Sequence, residues 1–148
     1  MFRNILIPTD GSPLATIAVD AGVTFAKEVG ANVTILAVTE PYHIFTVDAE
    51  QLAGTRSDYE ALARKHAADM LASLARKARE GGVACQTEQV SNHEVYRAII
   101  DMATQKGSDL IIMASHGRSG VGTLMLGSVA AKVLAHSTIP VLIYRAKT

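Results

Sequence analysis

Short apolar runs along the chain alternate with longer segments whose apolar residues recur every three or four positions. Such runs are typical of buried strands, and such spacing is typical of a helix with one buried face. Strands are predicted at residues 5–7, 33–38, 83–90, 110–114 and 141–144. Helices are predicted between them, at residues 13–29, 58–80, 92–106 and 128–135. Because strands that alternate with helices favour a mostly parallel sheet, the pattern predicts a single α/β domain over residues 1–148.

The first helix is bounded by residues that favour helix ends. Pro8 is predicted to end the strand before it, Ser12 is a good N-cap, and Pro13 suits the first helical position. Gly30 is expected to end this helix. Its predicted buried face consists of Leu14, Ala18, Ala21, Phe25 and Val29.

The segment after the second strand has no clear periodicity. Residues 39–56 are therefore predicted to form a long, mobile connection. Ser57 or Asp58 then caps the second helix. The predicted buried stripe of this helix consists of Tyr59, Leu62, His66, Met70, Leu74 and Ala78.

The order of the elements suits a doubly wound, five-stranded parallel sheet with strand order 3-2-1-4-5 and helices on both faces. The third strand is the least apolar, as expected at a sheet edge. In such sheets a ligand lies beyond the carboxyl ends of the strands, where the winding reverses. That point falls between strands one and four, so the loops at residues 8–12 and 114–127 are expected to form a binding crevice.

The second of these loops is rich in glycine: four of the eleven residues from Gly117 to Gly127 are glycines. Glycine lets backbone N–H groups approach an anion without a Cβ in the way. Gly127 and Ser128 then open a helix whose N-terminus favours a phosphate, with Arg118 and Lys132 as nearby cations. A side chain at position 127 is expected to block the phosphate. The alternative is a flexible loop that ends in an ordinary N-cap.

Two better-known nucleotide motifs do not fit. Gly117 and Gly122 have the spacing of P-loop glycines and Thr123 follows, but the P-loop lysine is missing. The first strand is followed by Thr9 and Asp10 rather than by the glycines of a dinucleotide motif. We therefore predict neither a P-loop NTPase nor a dinucleotide-binding Rossmann site.

Composition narrows the classes of partner. The 14 basic and 14 acidic residues balance, aromatic residues make up 5% of the chain and tryptophan is absent, so neither a positive field nor a stacking platform favours nucleic acid. Apolar runs are too short to span a membrane, and the N-terminus does not resemble a signal peptide. Cys85 is the only cysteine, which favours a reducing compartment. We expect a cytoplasmic protein that binds neither nucleic acid nor membrane and, from the histidine spacing, no metal through protein ligands.

Both ends of the chain carry motifs of a known family. Residues 4–10 read Asn-Ile-Leu-Ile-Pro-Thr-Asp and residues 139–143 read Ile-Pro-Val-Leu-Ile. Together with the glycine-rich loop, they resemble the universal stress proteins over essentially the whole chain.

The glycine-rich loop itself resembles the nucleotide-binding branch of that family, which carries G-x2-G-x9-G-[S/T]. Gly117, Gly127 and Ser128 fit this motif. Ala114 stands where the first glycine is expected, and its methyl group is predicted to lie near the phosphates.

The resemblance implies an adenine nucleotide alpha hydrolase-like fold, ATP as the ligand, with or without Mg²⁺, and a homodimer in which strand 141–144 pairs antiparallel with its copy. Asp10 would lie against the nucleotide, and Val38 would contact the adenine through its backbone. The implied site residues are Pro8, Thr9, Asp10, Val38, Met113, Ala114, His116, Gly117, Gly127, Ser128 and Val129.

The residues alone leave several roles open. Asp10 either orients a ribose or a metal-bound water, or it only caps the turn before Ser12; His116 either contacts phosphate or is solvated. Glu40 and Asp48 are candidate general bases in a connection that the pattern does not place, and no water-orienting residue is evident. We expect a binding module of the stress response with slow or no ATP hydrolysis and no catalytic residues. The alternatives are an enzyme that hydrolyses ATP or transfers its nucleotidyl group, and a scaffold with a vestigial site.

Overall fold

The computed structural model describes residues 1–41, 49–117 and 125–145, with only the backbone of residues 49–56. It contains a five-stranded parallel sheet of strand order β3-β2-β1-β4-β5, which confirms the predicted doubly wound topology. The strands are β1 (Asn4–Thr9), β2 (Asn32–Thr39), β3 (Cys85–Ser91), β4 (Leu110–Ala114) and β5 (Val141–Tyr144). The helices are α1 (Pro13–Val29), α2 (Ala49–Glu80), α3 (Val95–Gln105) and α4 (Ser128–His136).

The core forms two apolar layers, one on each face of the sheet. Ile5 and Ile7 of β1 point towards α1 and α2, whereas Leu6 points towards α3 and α4. This alternation is the ordinary consequence of the pleat of a strand. It explains why β1 and β4 are apolar at nearly every position, since a central parallel strand is covered on both faces.

Pro8 lies within β1 rather than at its end, opposite Leu36 of β2. A proline in a central strand has no N–H to donate to a neighbouring strand, so its energetic cost depends on which neighbour its nitrogen faces. The Asn4 carbonyl accepts a hydrogen bond from the Asp109 amide, on the side of β1 that faces β4. Alternate residues of a parallel strand direct their backbone groups towards the same neighbouring strand. The nitrogen of Pro8 therefore faces β4, where pairing with β1 has already ended after Leu6. The missing N–H costs little there, and the two strands separate.

Helix α1 has the predicted caps but a different buried face. The Ser12 hydroxyl accepts the Ala15 amide, Pro13 occupies the first position, and Gly30 caps the end in the left-handed conformation. The buried residues are Ala15, Ala18, Val19, Gly22 and Ala26. Of the predicted face only Ala18 is buried, and Val29 is 43% exposed. Close approach to the sheet explains the shift, because a Cβ at Gly22 would lie 2.6 Å from Cδ1 of Ile7.

Helix α2 begins at Ala49, so neither Ser57 nor Asp58 caps it and the predicted connection of residues 39–56 is wrong over its last eight positions. Its 32 residues extend for about 48 Å, whereas a seven-residue strand such as β3 spans only about 23 Å. The sheet therefore covers only the second half of the helix.

The predicted stripe of α2 is wrong in its first half for this reason. Tyr59 and Leu62 are 50% and 54% exposed, and His66 is also exposed. The residues of α2 that are buried against the sheet are Leu71, Ala75 and Ala78. In the described part of the chain, no helix is both long enough and apolar enough to cross a membrane.

Candidate functional site at the switch point

β1 and β4 separate at the carboxyl end of the sheet, and the turn after β1 lies at this switch point, the place of the predicted crevice. Asp10 Oδ1 accepts the Ser12 amide at 2.9 Å, and Thr9 Oγ1 accepts the Gly11 amide at 3.2 Å. Gly11 has φ of 79°, which favours glycine at that position. Asp10 therefore caps this turn, which was one of its two predicted roles, and Pro8, Thr9 and Ser12 are buried around it.

The loop after β4 meets this turn at Gly117. A Cβ at Gly117 would lie 2.6 Å from Oδ2 of Asp10, so only a glycine lets the backbone pass against this carboxylate. The contact brings together two segments that are separated by more than a hundred residues. The turn after β1 and the start of the loop after β4 therefore meet at the switch point.

The N-terminus of α4 is tied to the end of β4 through Ser115. The Gly127 amide donates to the Ser115 carbonyl at 2.7 Å, and the Ser115 amide donates to the Tyr144 carbonyl of β5 at 2.9 Å. A Cβ at Gly127 would lie 2.9 Å from the Ser115 oxygen and 3.4 Å from His116 Cα. Gly127 is thus required by the protein's own backbone, and a side chain there meets Ser115 before any ligand.

The first turn of α4 still offers donors. Gly127 is the N-cap and has no side chain to cap the helix, and its carbonyl accepts the first helical bond, from Ala131. The amides of Ser128, Val129 and Ala130 precede that bond, so they have no acceptor within the helix. Ser128 is exposed, as an anion-binding N-terminus requires. The donors at this site are therefore the amides that follow Gly127, and not the Gly127 amide itself.

His116 is half-buried beside this helix end. Its Nδ1 lies 3.0 Å from the Ser115 hydroxyl, and its Cδ2 lies 3.8 Å from the position that a Cβ at Gly127 would take. Sequence reasoning missed Ser115, which is only 2% exposed. The sequence did contain a signal for this residue, because Ser115 is the first polar residue after a fully apolar strand at the predicted switch point.

Ala114, at the first position of the motif, packs against helix α1. Ala114 is 8% exposed and packs with Ala15 and Ala18 of α1, with Leu14 and Tyr144 at the edge of this cluster. Its Cβ is accommodated by small residues of the neighbouring helix. The alanine at this motif position therefore fills space between β4 and α1.

Three apolar site residues share the opposite layer of the core. Met113 is buried in it, and Val38 and Val129 pack against it half-exposed. They come from the ends of β2 and β4 and from the first turn of α4. These residues therefore extend the apolar layer of the core on the α3 and α4 side of the sheet to its carboxyl end.

Of the two predicted cations, Lys132 contacts helix α3. The ammonium of Lys132 lies 5.6 Å from the ring centroid of Tyr96 on α3, a cation–π contact. Arg97 lies over the same ring. Its hydrogen bond to Glu94 lowers the pKa of the Glu94 carboxyl. Arg118 and Asp48 lie outside the described residues. Within the described ranges no three His, Cys, Asp or Glu side chains converge as a metal site, and Glu40 is exposed.

Comparison with known proteins gives one consistent result. The model of the universal stress protein family matches residues 1–145. Universal stress protein YxiE of Bacillus subtilis is 35% identical over 149 residues, which cover 98% of this chain and 100% of that protein. Universal stress protein MJ0531 of Methanocaldococcus jannaschii is 29% identical over 150 residues, covering 98% of this chain and 83% of that protein.

Solved structures agree with the observed architecture. The fold matches that of the protein MJ0577 with a TM-score of 0.86 and 26% identity, covering 100% of this chain and 99% of the other. UspA from Lactobacillus plantarum matches with a TM-score of 0.84 and 25% identity, covering 97% and 98%. The sequence motifs, the fold and these relatives together establish that the chain belongs to the universal stress protein family.

Proposed function

We propose that this universal stress protein is a nucleotide-binding module that holds ATP, with or without Mg²⁺, in the crevice between β1 and β4. The observation that carries the proposal is the meeting of three segments at residues 115–117: Ser115 bonds Gly127 at the start of α4, and Gly117 lies against the Asp10 carboxylate. Backbone donors, a carboxylate and an apolar surface thereby converge from distant parts of the chain. A universal stress protein of the same fold, with a TM-score of 0.68, has been solved in complex with cAMP, another adenine nucleotide.

Each part of an adenine nucleotide has a chemically matched partner in this proposal. The amides of Ser128 and Val129 bind phosphate oxygens, because a helix N-terminus favours negative charge. The layer of Val38, Met113 and Val129 receives the adenine, with the Val38 backbone at the end of β2 as its polar contact. Asp10, Thr9 and Pro8 lie on the ribose side. The Gly127 amide is not assigned to the phosphate, since it already donates to Ser115.

Binding without rapid turnover follows from what hydrolysis needs. ATP hydrolysis requires a positioned water and neutralisation of charge at the γ-phosphate. The carboxylate of Asp10 already accepts the Ser12 amide, and Lys132 is held at Tyr96. We therefore propose no catalytic residue, and a role for the protein in the stress response through its nucleotide-bound state. An ATPase or nucleotidyl transferase at the same site would show steady-state turnover above about 1 s⁻¹, the low end of ordinary enzymes.

A substitution at Ser128 tests the site without disturbing the fold. In Ser128→Asp a carboxylate occupies the first helical position, where it interacts favourably with the helix dipole by about 0.3–1 kcal/mol. The same charge repels a phosphate about 4 Å away by several kcal/mol, so calorimetric titration with ATP·Mg²⁺ should show a loss of affinity of at least about 100-fold. Ser128→Ala removes one hydrogen bond from a hydroxyl to the charged phosphate, without adding a repelling charge, and should weaken binding about tenfold.

Ala135→Glu is the matched control, because it adds the same charge at an exposed position near the other end of α4. It should leave the affinity within about twofold of the wild type. Equal binding by wild type and Ser128→Asp would show that phosphate does not lie at this helix. If the wild type itself binds no adenine nucleotide, the vestigial scaffold is the correct description.

We further propose that the protein is a cytoplasmic homodimer paired through β5. This strand is the last in the sheet, so the described structure pairs only one of its edges. Unpaired edges are templates for pairing with another chain.

A further inference from the structure

The side chain of Ser115 is buried and makes its hydrogen bond to the side chain of the next residue. It is 2% exposed, and its backbone bonds to Tyr144 and Gly127 do not involve its hydroxyl. Within the described ranges, the hydrogen bond of that hydroxyl is the one to His116 Nδ1, at 3.0 Å. The buried hydroxyl of Ser115 is therefore hydrogen-bonded to the histidine side chain and not to the main chain.

The direction of this bond follows from the burial of the serine. A hydroxyl proton that is buried without an acceptor costs about 1–3 kcal/mol. Nδ1 is the acceptor within reach, so the favoured arrangement has Ser115 Oγ–H donating to Nδ1 of His116. A neutral imidazole that accepts at Nδ1 carries its proton at Nε2.

The ring orientation then decides where that proton lies. Cδ2 of His116 lies 3.8 Å from the position of a Cβ at Gly127, and Cδ2 is bonded to Nε2 in the imidazole ring. The Nδ1 side of the ring is held by Ser115, and the opposite side faces the N-cap of α4. The Cδ2–Nε2 edge of the ring, which carries the proton, is therefore the edge on the side of the α4 N-cap.

We propose that Ser115 is a positioning residue of the nucleotide site. Its hydroxyl fixes His116 in the Nε2–H tautomer and aims that donor at the first turn of α4, so that the histidine adds a side-chain donor to the backbone amides that hold a phosphate oxygen. The role towards phosphate rests on the proposed function. The tautomer of His116 is a property of the nucleotide-free protein and does not.

Nuclear magnetic resonance of the nucleotide-free protein tests the first half. At about pH 8.5, the nitrogen shifts of a neutral imidazole report which of its two nitrogens carries the proton. In the wild type, the nitrogen shifts of His116 should show an unprotonated Nδ1 and a protonated Nε2. In Ser115→Ala, which keeps both backbone bonds of residue 115, the two tautomers should mix. A dominant Nδ1–H form in the wild type, or an unchanged ratio in Ser115→Ala, overturns the proposal.

A double-mutant cycle on ATP affinity tests the second half. Ser115→Ala should weaken ATP binding about 3- to 10-fold in the wild type and have no effect in a His116→Ala background, because the serine acts through the histidine. An equal loss in both backgrounds means that Ser115 only supports the loop, and it overturns the positioning role. A wild type that binds no ATP overturns the proposed function and the phosphate role together, whereas the tautomer measurement still decides the Ser115–His116 pair.

Discussion

At the scale of single residues, the crevice is constrained by contacts that its own atoms make before any ligand arrives. Asp10 Oδ1 caps the turn at Ser12, and Oδ2 lies where a side chain at Gly117 would begin. Gly127 is constrained in the same way by the Ser115 carbonyl. Both glycines belong to the family motif, but the motif could not show that neighbouring protein atoms are the immediate reason for them. The periodicity of one segment does not predict contacts between residues that are distant in the sequence.

Replacement of Gly117 by alanine should therefore act through Asp10. No positive φ accompanies Gly117, so the cost of Gly117→Ala comes from the 2.6 Å approach to Oδ2 and should be about 1–3 kcal/mol in the free energy of unfolding. In an Asp10→Ala background the same change should cost less than about 0.5 kcal/mol. Urea unfolding of the four proteins measures this. Gly81→Ala, where the nearest atom would lie at an ordinary 3.4 Å, is the control. An equal cost in both backgrounds would mean that the loop, and not the carboxylate, resists the methyl group.

Cys85 gives the stability of the protein a specific dependence on alkaline pH. Burial raises the pKa of its thiol above the ordinary value, although Arg79 nearby acts in the opposite direction. The unfolded thiol therefore loses its proton at a lower pH than the folded one, and the unfolded state binds fewer protons in the interval between them. The contribution of Cys85 to stability is complete below the ordinary thiol pKa and is lost as the pH rises through the folded value.

We expect the free energy of unfolding to fall more steeply with pH in the wild type than in Cys85→Ala, from about pH 8.5 upward. The difference in slope has an upper limit of about 1.4 kcal/mol per pH unit, the effect of one proton. Urea unfolding at several pH values measures both slopes, and the other titrating groups are common to the two proteins. Parallel slopes would show that this thiol ionises alike in the folded and unfolded states.

At the scale of elements, the sequence predicted which helices and strands exist better than it predicted which face of each helix is buried. The caps of α1 and the bounds of β4 and β5 were correct, because Ser12, Pro13 and unbroken apolar runs have local physical causes. The faces of α1 and α2 depend on which part of each helix lies over the sheet. That is a tertiary property: small residues let α1 approach closely, and the first half of α2 extends past the strands.

Two leucines of α2 provide a matched test of this overhang. Leu71 is 3% exposed and packs on the sheet, whereas Leu62 is 54% exposed. Leu71→Ala should lower the free energy of unfolding by about 2–5 kcal/mol, the cost of a core cavity. Leu62→Ala should change it by less than about 0.5 kcal/mol, as is usual for a surface substitution. Denaturant unfolding of both variants measures this, and comparable losses would mean that another part of the protein covers the first half of α2.

At the scale of the whole molecule, the alternation of strands and helices was sufficient to predict the strand order. The rule for doubly wound sheets connects topology with ligand position, so it assigns a candidate site without any side-chain geometry. What could not be predicted is how the site is joined to the rest of the protein. The Ser115 amide bonds Tyr144 of β5, so the last strand of the sheet and the N-terminus of α4 are held by one residue. The proposed dimer edge therefore lies one hydrogen bond away from the proposed nucleotide site.

Pairing through β5 makes a prediction about association in solution. The carbonyls of Pro140 and Tyr144 face β4, so the backbone groups of Val141 and Ile143 face outward. In an antiparallel pair of copies, Leu142, which is 39% exposed, lies near the centre, and two like charges there oppose each other directly. Leu142→Glu should weaken the dimer about tenfold or more in sedimentation equilibrium. Leu134→Glu introduces the same charge at a leucine that is 43% exposed on α4, and it should leave the dimer unchanged. Dissociation by Leu134→Glu with no effect of Leu142→Glu would place the interface on α4 and not on the edge of the sheet.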